Sequence, residues 1–243
     1  MRKILRWLVP LAIAALLLAL VLGYVNSFYH ADADAKAALE SDDAVRVQSA
    51  SFGWLFDGPS ETDALIFYPG GKVEAEAYAP LCRAIARSGV DVCLAEMPLR
   101  LAIIGKNRAD RIIGSMEYER WAIGGHSLGG VSAALYASKH PEKLAGVILL
   151  AAYADQPLDD SLSALYIYGT EDSVLHMERY QECLANAPAR TVEHIIEGGN
   201  HSQFGSYGLQ KGDSPARIPR EQQVEQTAAA AAGMLLGTDQ GEG

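Results

Sequence analysis

The sequence predicts an α/β protein with a mostly parallel sheet and helices on both faces, preceded by one N-terminal transmembrane helix. Three observations carry this. From residue 64 to residue 236, short apolar runs alternate with segments of helical periodicity, the pattern of strand–helix–strand units. The run over residues 121–124 passes directly through Gly125-His126-Ser127-Leu128-Gly129 into a helical stretch over 131–139, so strand, sharp turn and helix follow one another. Residues 7–29 hold no charge, which suits the roughly 20 residues that cross a bilayer core.

The chain has 243 residues, 49 % of them hydrophobic, enough for one domain of about 200 residues plus an anchor. Arg2, Lys3 and Arg6 precede the uncharged stretch, and Asp32, Asp34, Glu40, Asp42 and Asp43 follow it. This bias places the N-terminus in the cytoplasm and the body on the extracytoplasmic side of the cell membrane. A cleaved signal peptide is the rival reading. The apolar run is longer than the usual signal core, however, and the loose cleavage site Ala31-Asp32-Ala33 lies well past its end. The net charge is −10, and the body without its three leading cations is more acidic still, which argues against a nucleic-acid partner. No zinc-type Cys/His spacing and no Gly-rich phosphate loop occurs, so no metal or organic cofactor is expected. Oligomeric state is not legible.

The elements follow in order. Residues 1–29 are the membrane anchor, and 30–44, polar and Ala-rich, are a stalk or short helix. Residues 45–51 and 53–56 read as two antiparallel opening strands, with a turn at Asp57-Gly58-Pro59. Residues 64–68 form a compact apolar run of the kind buried in parallel sheets, ending in Pro69-Gly70-Gly71. Residues 74–88 read as a helix with Tyr78, Leu81, Cys82 and Ile85 on one stripe and Gly89 as its stop. Strands are expected at 90–95, 121–124, 144–152, 165–168 and 191–196, and helices at 108–117, 131–139, 174–187 and 220–236. The domain therefore covers 45–236, and 237–243 is a loose tail. Residues 155–163 are too few for a large lid, whereas the 97–106 loop is long enough to fold over a site. In an oxidising compartment Cys82 and Cys93 either form a disulfide or stay as buried thiols, depending on which face of its strand Cys93 occupies.

The chemistry centres on Ser127. A serine between glycines, at the apex of a strained strand-to-helix turn, is the G-x-S-x-G nucleophile elbow, and two partners follow in the matching order. His201, in the Gly-rich loop after the last strand, is the expected base; the other five histidines fall in stalk, helix, strand or elbow positions. Asp172, four residues past the 165–168 strand, is the expected orienting acid, with Glu171 as competitor and helix capping as its plainer role. The oxyanion donors are expected to be the N–H groups of Leu128, which follows the nucleophile, and of Gly71, in the loop after residues 64–68.

These residues resemble the α/β-hydrolase superfamily, in its small lidless group related to dienelactone hydrolases. The resemblance rests on Tyr-Pro-Gly-Gly-Lys-Val at 68–73, Gly-Gly-His-Ser-Leu-Gly-Gly at 124–130 and the long segment from Gly198 to Asp213, and covers roughly residues 45–236. It implies the α/β-hydrolase fold and a triad of Ser127, Asp172 and His201. Dienelactone hydrolases proper carry a cysteine nucleophile, where this chain has serine. The resulting expectation is a membrane-anchored serine hydrolase acting on small ester or thioester substrates through an acyl-enzyme, with a preference for short acyl groups. A non-catalytic binding module on the same fold and an acyltransferase are the alternatives.

Overall fold

The structure is a computed structural model that describes residues 2–59 and 62–237; the side chains of 2–7 and 25 are outside the description. The apolar runs become an 8-stranded sheet. Its strands are β1 (Arg46–Ala50), β2 (Gly53–Asp57), β3 (Asp63–Tyr68), β4 (Asp91–Ala95), β5 (Arg120–His126), β6 (Gly146–Leu150), β7 (Ser163–Gly169) and β8 (Arg190–Ile196). The spatial order is β1-β2-β4-β3-β5-β6-β7-β8. β2 pairs antiparallel with β1 and β4, and the remaining pairs are parallel. The helices are α1 (Arg2–Asn26), α2 (Ala33–Ala37), α3 (Ala79–Arg87), α4 (Arg108–Ile113), α5 (Leu128–Ala137), α6 (Met177–Cys183) and α7 (Arg220–Leu236).

Strand alternation splits the interior into two cores. Leu65 and Phe67 of β3 join Leu81 and Ile85 of α3 and Val224 and Ala228 of α7 on one face. Ala64, Ile66 and Tyr68 turn to the other face, with Ala109 of α4, Ala133 of α5 and Tyr180 of α6. Both faces of β3 are therefore buried, which is why its sequence is uniformly apolar after Asp63. The same alternation decides the cysteine question. Val92 and Leu94 face α3, where Cys82 sits, while Cys93 points into the opposite core. The Cys82–Cys93 disulfide is thus ruled out by strand parity; Cys82, Cys93 and Cys183 are free and buried, and burial pushes each thiol up.

Of the stalk and the short helix that the sequence leaves open for residues 30–44, the structure shows the short helix α2, packed onto the body. Asp32 caps α2, Ala35 is fully buried, and Arg220 of α7 holds Asp32 at 2.8 Å. Asp42 accepts N–H bonds from Ala44 and Val45 and pairs with Arg83 at 2.7 Å, so residues 30–44 strap against α3 and α7. α1 forms as a helix of 25 residues, Arg2–Asn26, with Pro10 inside it. Among the described residues no helix is long and apolar enough to cross a membrane. At the other end Gly237 closes α7 at φ 69°, and the rest of the expected tail, 238–243, lies outside the described residues.

Candidate active site

The site forms at the C-terminal ends of the parallel strands, where open α/β sheets place their ligand crevices. β5 ends at His126, and α5 begins at Leu128, leaving a single residue to make the turn. That residue, Ser127, takes φ 52° and ψ −123°, a conformation few non-glycine residues adopt. Its N–H donates to the Leu150 carbonyl at 2.9 Å and its carbonyl accepts from Val131 at 3.0 Å, so both neighbours hold the turn in place. Gly125 is required here: a Cβ on it would lie 2.5 Å from the Tyr68 carbonyl oxygen of β3.

The expected acid and base meet. His201 Nδ1 donates to Asp172 Oδ2 at 2.8 Å, and both side chains are buried. Asp172 also fulfils its capping role, since Oδ1 accepts the N–H groups of Val174 and Leu175, each at 2.8 Å. This fixes the carboxylate from its far side. The competitor Glu171 is turned away to Arg217. With Nδ1 committed to Asp172, His201 Nε2 is the nitrogen free to exchange a proton, and it has no hydrogen-bond partner among the described residues. No hydrogen bond joins it to Ser127 Oγ. The His201 ring instead lies 4.4 Å, centroid to centroid, from that of His126, the residue before Ser127.

The two expected oxyanion donors are side by side. Leu128 opens α5, where N–H groups lack intrahelical acceptors, and a Cβ on Gly71 would lie 2.9 Å from Leu128 Cδ2. Ser127, Leu128 and Gly71 line one cavity of about 220 Å³, together with His126, Leu101 and Tyr24. A larger groove of about 640 Å³ between α2, α3 and α7 is lined by ion-paired Arg83, Arg87 and Arg220 and contains no nucleophile of this kind. Among the described residues no group of three His, Cys, Asp or Glu is placed to hold a metal ion.

The model of the alpha/beta hydrolase family matches residues 64–225, two thirds of the chain. The chain belongs to the alpha/beta hydrolase family. Among solved structures it is similar to a CIB-like hydrolase from Thermoplasma acidophilum, with a TM-score of 0.55 and 14 % identity over 78 % of this chain and 100 % of that one. It is also similar to mouse alpha/beta hydrolase domain-containing protein 10, with a TM-score of 0.50 and 14 % identity over 66 % and 92 %. At that identity both show the fold alone. No curated protein matches the sequence.

Within this hydrolase-family site, sequence reasoning missed three supports. Tyr78 is buried with its hydroxyl accepting the Gly70 N–H at 3.0 Å and meeting His126 Nδ1 at 2.8 Å. Because Gly70 uses the acceptor side of that oxygen, the phenolic proton goes to Nδ1, which leaves the His126 proton on Nε2. Burial, and then the neighbouring His201, hold His126 well below the ordinary histidine value, so it stays neutral. Gln223 of α7 brackets Asn200, accepting its N–H at 3.0 Å and donating to its carbonyl at 2.8 Å. Asp213, last residue of the long Gly198–Asp213 segment, accepts the Ser202 N–H at 2.8 Å and the Ser173 N–H at 3.2 Å, joining base loop to acid loop. A tyrosine on the apolar stripe of a helix and a glutamine in a helix's first turn carry no local signal of such roles.

Proposed function

We propose that the chain is a serine hydrolase that cleaves carboxylic ester or thioester bonds of small substrates through an acyl-enzyme. The observation that carries this reading is the buried Asp172–His201 pair at 2.8 Å beside an elbow serine at φ 52°. Ser127 Oγ attacks the acyl carbon while His201 Nε2 takes its proton; Asp172 keeps the imidazole in the required tautomer and stabilises its cation. The N–H groups of Gly71 and Leu128 stabilise the oxyanion, and His201 then returns the proton to the departing alcohol or thiol. Water repeats the sequence to release the acid. No cofactor enters these steps. The cavity of about 220 Å³ favours short acyl groups. The subgroup we favour is the lidless one related to dienelactone hydrolases, because no helix intervenes between β6 and β7. For α1 we favour membrane attachment with the body on the extracytoplasmic side, supported by its apolar sequence and the Arg2, Lys3 and Arg6 that precede it.

A fluorophosphonate probe tests the reading: it should label Ser127, and Ser127→Ala should lose both labelling and about 10³-fold or more of the turnover of p-nitrophenyl acetate. Residual activity within about tenfold of wild type would remove Ser127 from the mechanism. Acyltransferase activity would show as a new ester when an alcohol is added. A folded wild-type protein that neither labels nor turns over any p-nitrophenyl ester would favour the binding module.

A further inference from the structure

From Leu8 to Tyr24 the sequence of α1 is apolar, so this part of the helix is apolar on every side. Leu16, Leu17 and Leu18, then Leu20, Val21 and Leu22, are consecutive and all exposed, at 50–61 %. A protein groove buries one stripe of a helix, whereas a helix apolar all round needs apolar surroundings on every side, as lipid chains provide. The end of this helix stands at the catalytic cavity. Tyr24 lines it, and Lys72 Nζ lies 4.1 Å from the Tyr24 ring. Arg100 packs 3.4 Å over the Phe28 ring, and Tyr29 donates its N–H to the Lys72 carbonyl at 2.8 Å and accepts from Lys211 N–H through its hydroxyl at 2.9 Å. The oxyanion loop is therefore fastened to Tyr24 in the last turn of α1 and to Tyr29 beyond it, and the 97–106 loop to Phe28. Close in sequence to Leu101 and Gln210 of the cavity lining, Leu99, Ile103, Ile104 and Leu209 are each about half exposed. Aromatic residues at a helix end, with cations beside them, mark the headgroup layer.

We propose that the mouth of the Ser127 cavity is docked on a lipid leaflet, and that the substrate is a membrane-borne amphiphilic ester whose small acyl arm enters the cavity while its apolar remainder stays on the rim. The substrate half rests on the reading of Ser127 as nucleophile. Immersion of α1 to Tyr24 sets the cavity at headgroup depth without requiring the helix to cross the bilayer. The reaction is ester plus water to acid plus alcohol: the acyl C–O bond breaks, the oxygen of water completes the acid, and the alcohol keeps its place in the leaflet.

The test uses the full-length chain in phosphatidylcholine–phosphatidylglycerol vesicles, with hexadecyl acetate in the bilayer and p-nitrophenyl acetate in the water. In the double variant Ile103→Glu/Ile104→Glu, turnover of hexadecyl acetate should fall about tenfold or more while that of p-nitrophenyl acetate stays within about twofold. A nitroxide on Ile104→Cys should be accessible to oxygen and shielded from an aqueous nickel chelate. A nitroxide open to the chelate overturns the docking whatever the rates do. An immersed nitroxide with both esters falling equally overturns the membrane-borne substrate. Cross-linking of Ile104→Cys to a second copy in the vesicles assigns the face to a dimer and overturns the lipid. An immersed nitroxide in a wild-type protein inert toward both esters supports the docking and sinks the hydrolase reading by itself.

Discussion

His126 shows how a residue with no role in bond-making can shape the site. Its neighbour Ser127 was marked by glycine spacing, and His201 and Asp172 by their places after strands, because catalytic loops need sharp turns and exposed strand ends. His126 has no such signature; its importance comes from Tyr78, 48 residues earlier, and from the His201 ring against it. The consequence is a pH dependence of known sign. The folded protein holds His126 well below the ordinary histidine value of 6.5, so below that pH the unfolded chain binds a proton that the folded chain refuses. Stability from this group is present above the ordinary histidine value and is lost progressively as pH falls below it. His126→Asn keeps an acceptor for the Tyr78 hydroxyl and removes the titration. Denaturant unfolding at pH 6.5 and 5.5 should therefore show a shallower loss in the variant; equal losses in the two proteins would mean that His126 is protonated in the fold.

At the scale of elements, strands and helices were legible to the extent that their own residues determine them. α7 begins and ends where Pro219 and Gly237 place it, and β3 and β4 follow their apolar runs. The departures come from contacts distant in sequence. α6 starts at Met177 rather than at residue 174 because Asp172 Oδ1 draws the Val174 and Leu175 N–H groups into a turn and His176 caps the helix. α3 is shortened by a 3₁₀ turn, Ala75–Tyr78, with Pro80 at the start of the α-helix. α4 stops at Ile113, where Gly114 follows. The face occupied by Cys93 depended on strand register, which one sequence does not reveal. α7 itself holds the base loop, since Gln223 satisfies both backbone groups of Asn200 next to His201. Gln223→Leu strands a buried N–H and a buried carbonyl and should cost about 1–3 kcal/mol of stability, with kcat for p-nitrophenyl acetate falling more than KM changes. Gln223→Glu keeps the acceptor and should retain more of the activity. A Leu variant with wild-type kcat would show that His201 is placed without α7.

For the whole molecule, the question is how an α/β body and an apolar helix share one chain. Each face of the sheet carries its own core, and residues 30–44 add Ala31 and Ala35 to one of them. α1 adds none of its described residues to either core. Its connection is local, through Tyr24 on Lys72 and through Phe28 and Tyr29 just beyond its end. Folding free energy should therefore reside in the body, with the strap, and lipid affinity in α1. Deleting residues 2–23 keeps the Tyr24, Phe28 and Tyr29 contacts and removes the apolar surface. The shortened protein should unfold within about 4 °C of the full chain in detergent, a change of under about 1–2 kcal/mol at this size. It should keep kcat/KM for p-nitrophenyl acetate within about threefold, because among the described residues α1 contributes a single side chain, Tyr24, to the cavity lining. It should also remain in the aqueous phase when vesicles are sedimented. A shortened chain that fails to fold, while the full chain folds in the same detergent, would make α1 part of the folding unit and overturn this division of labour.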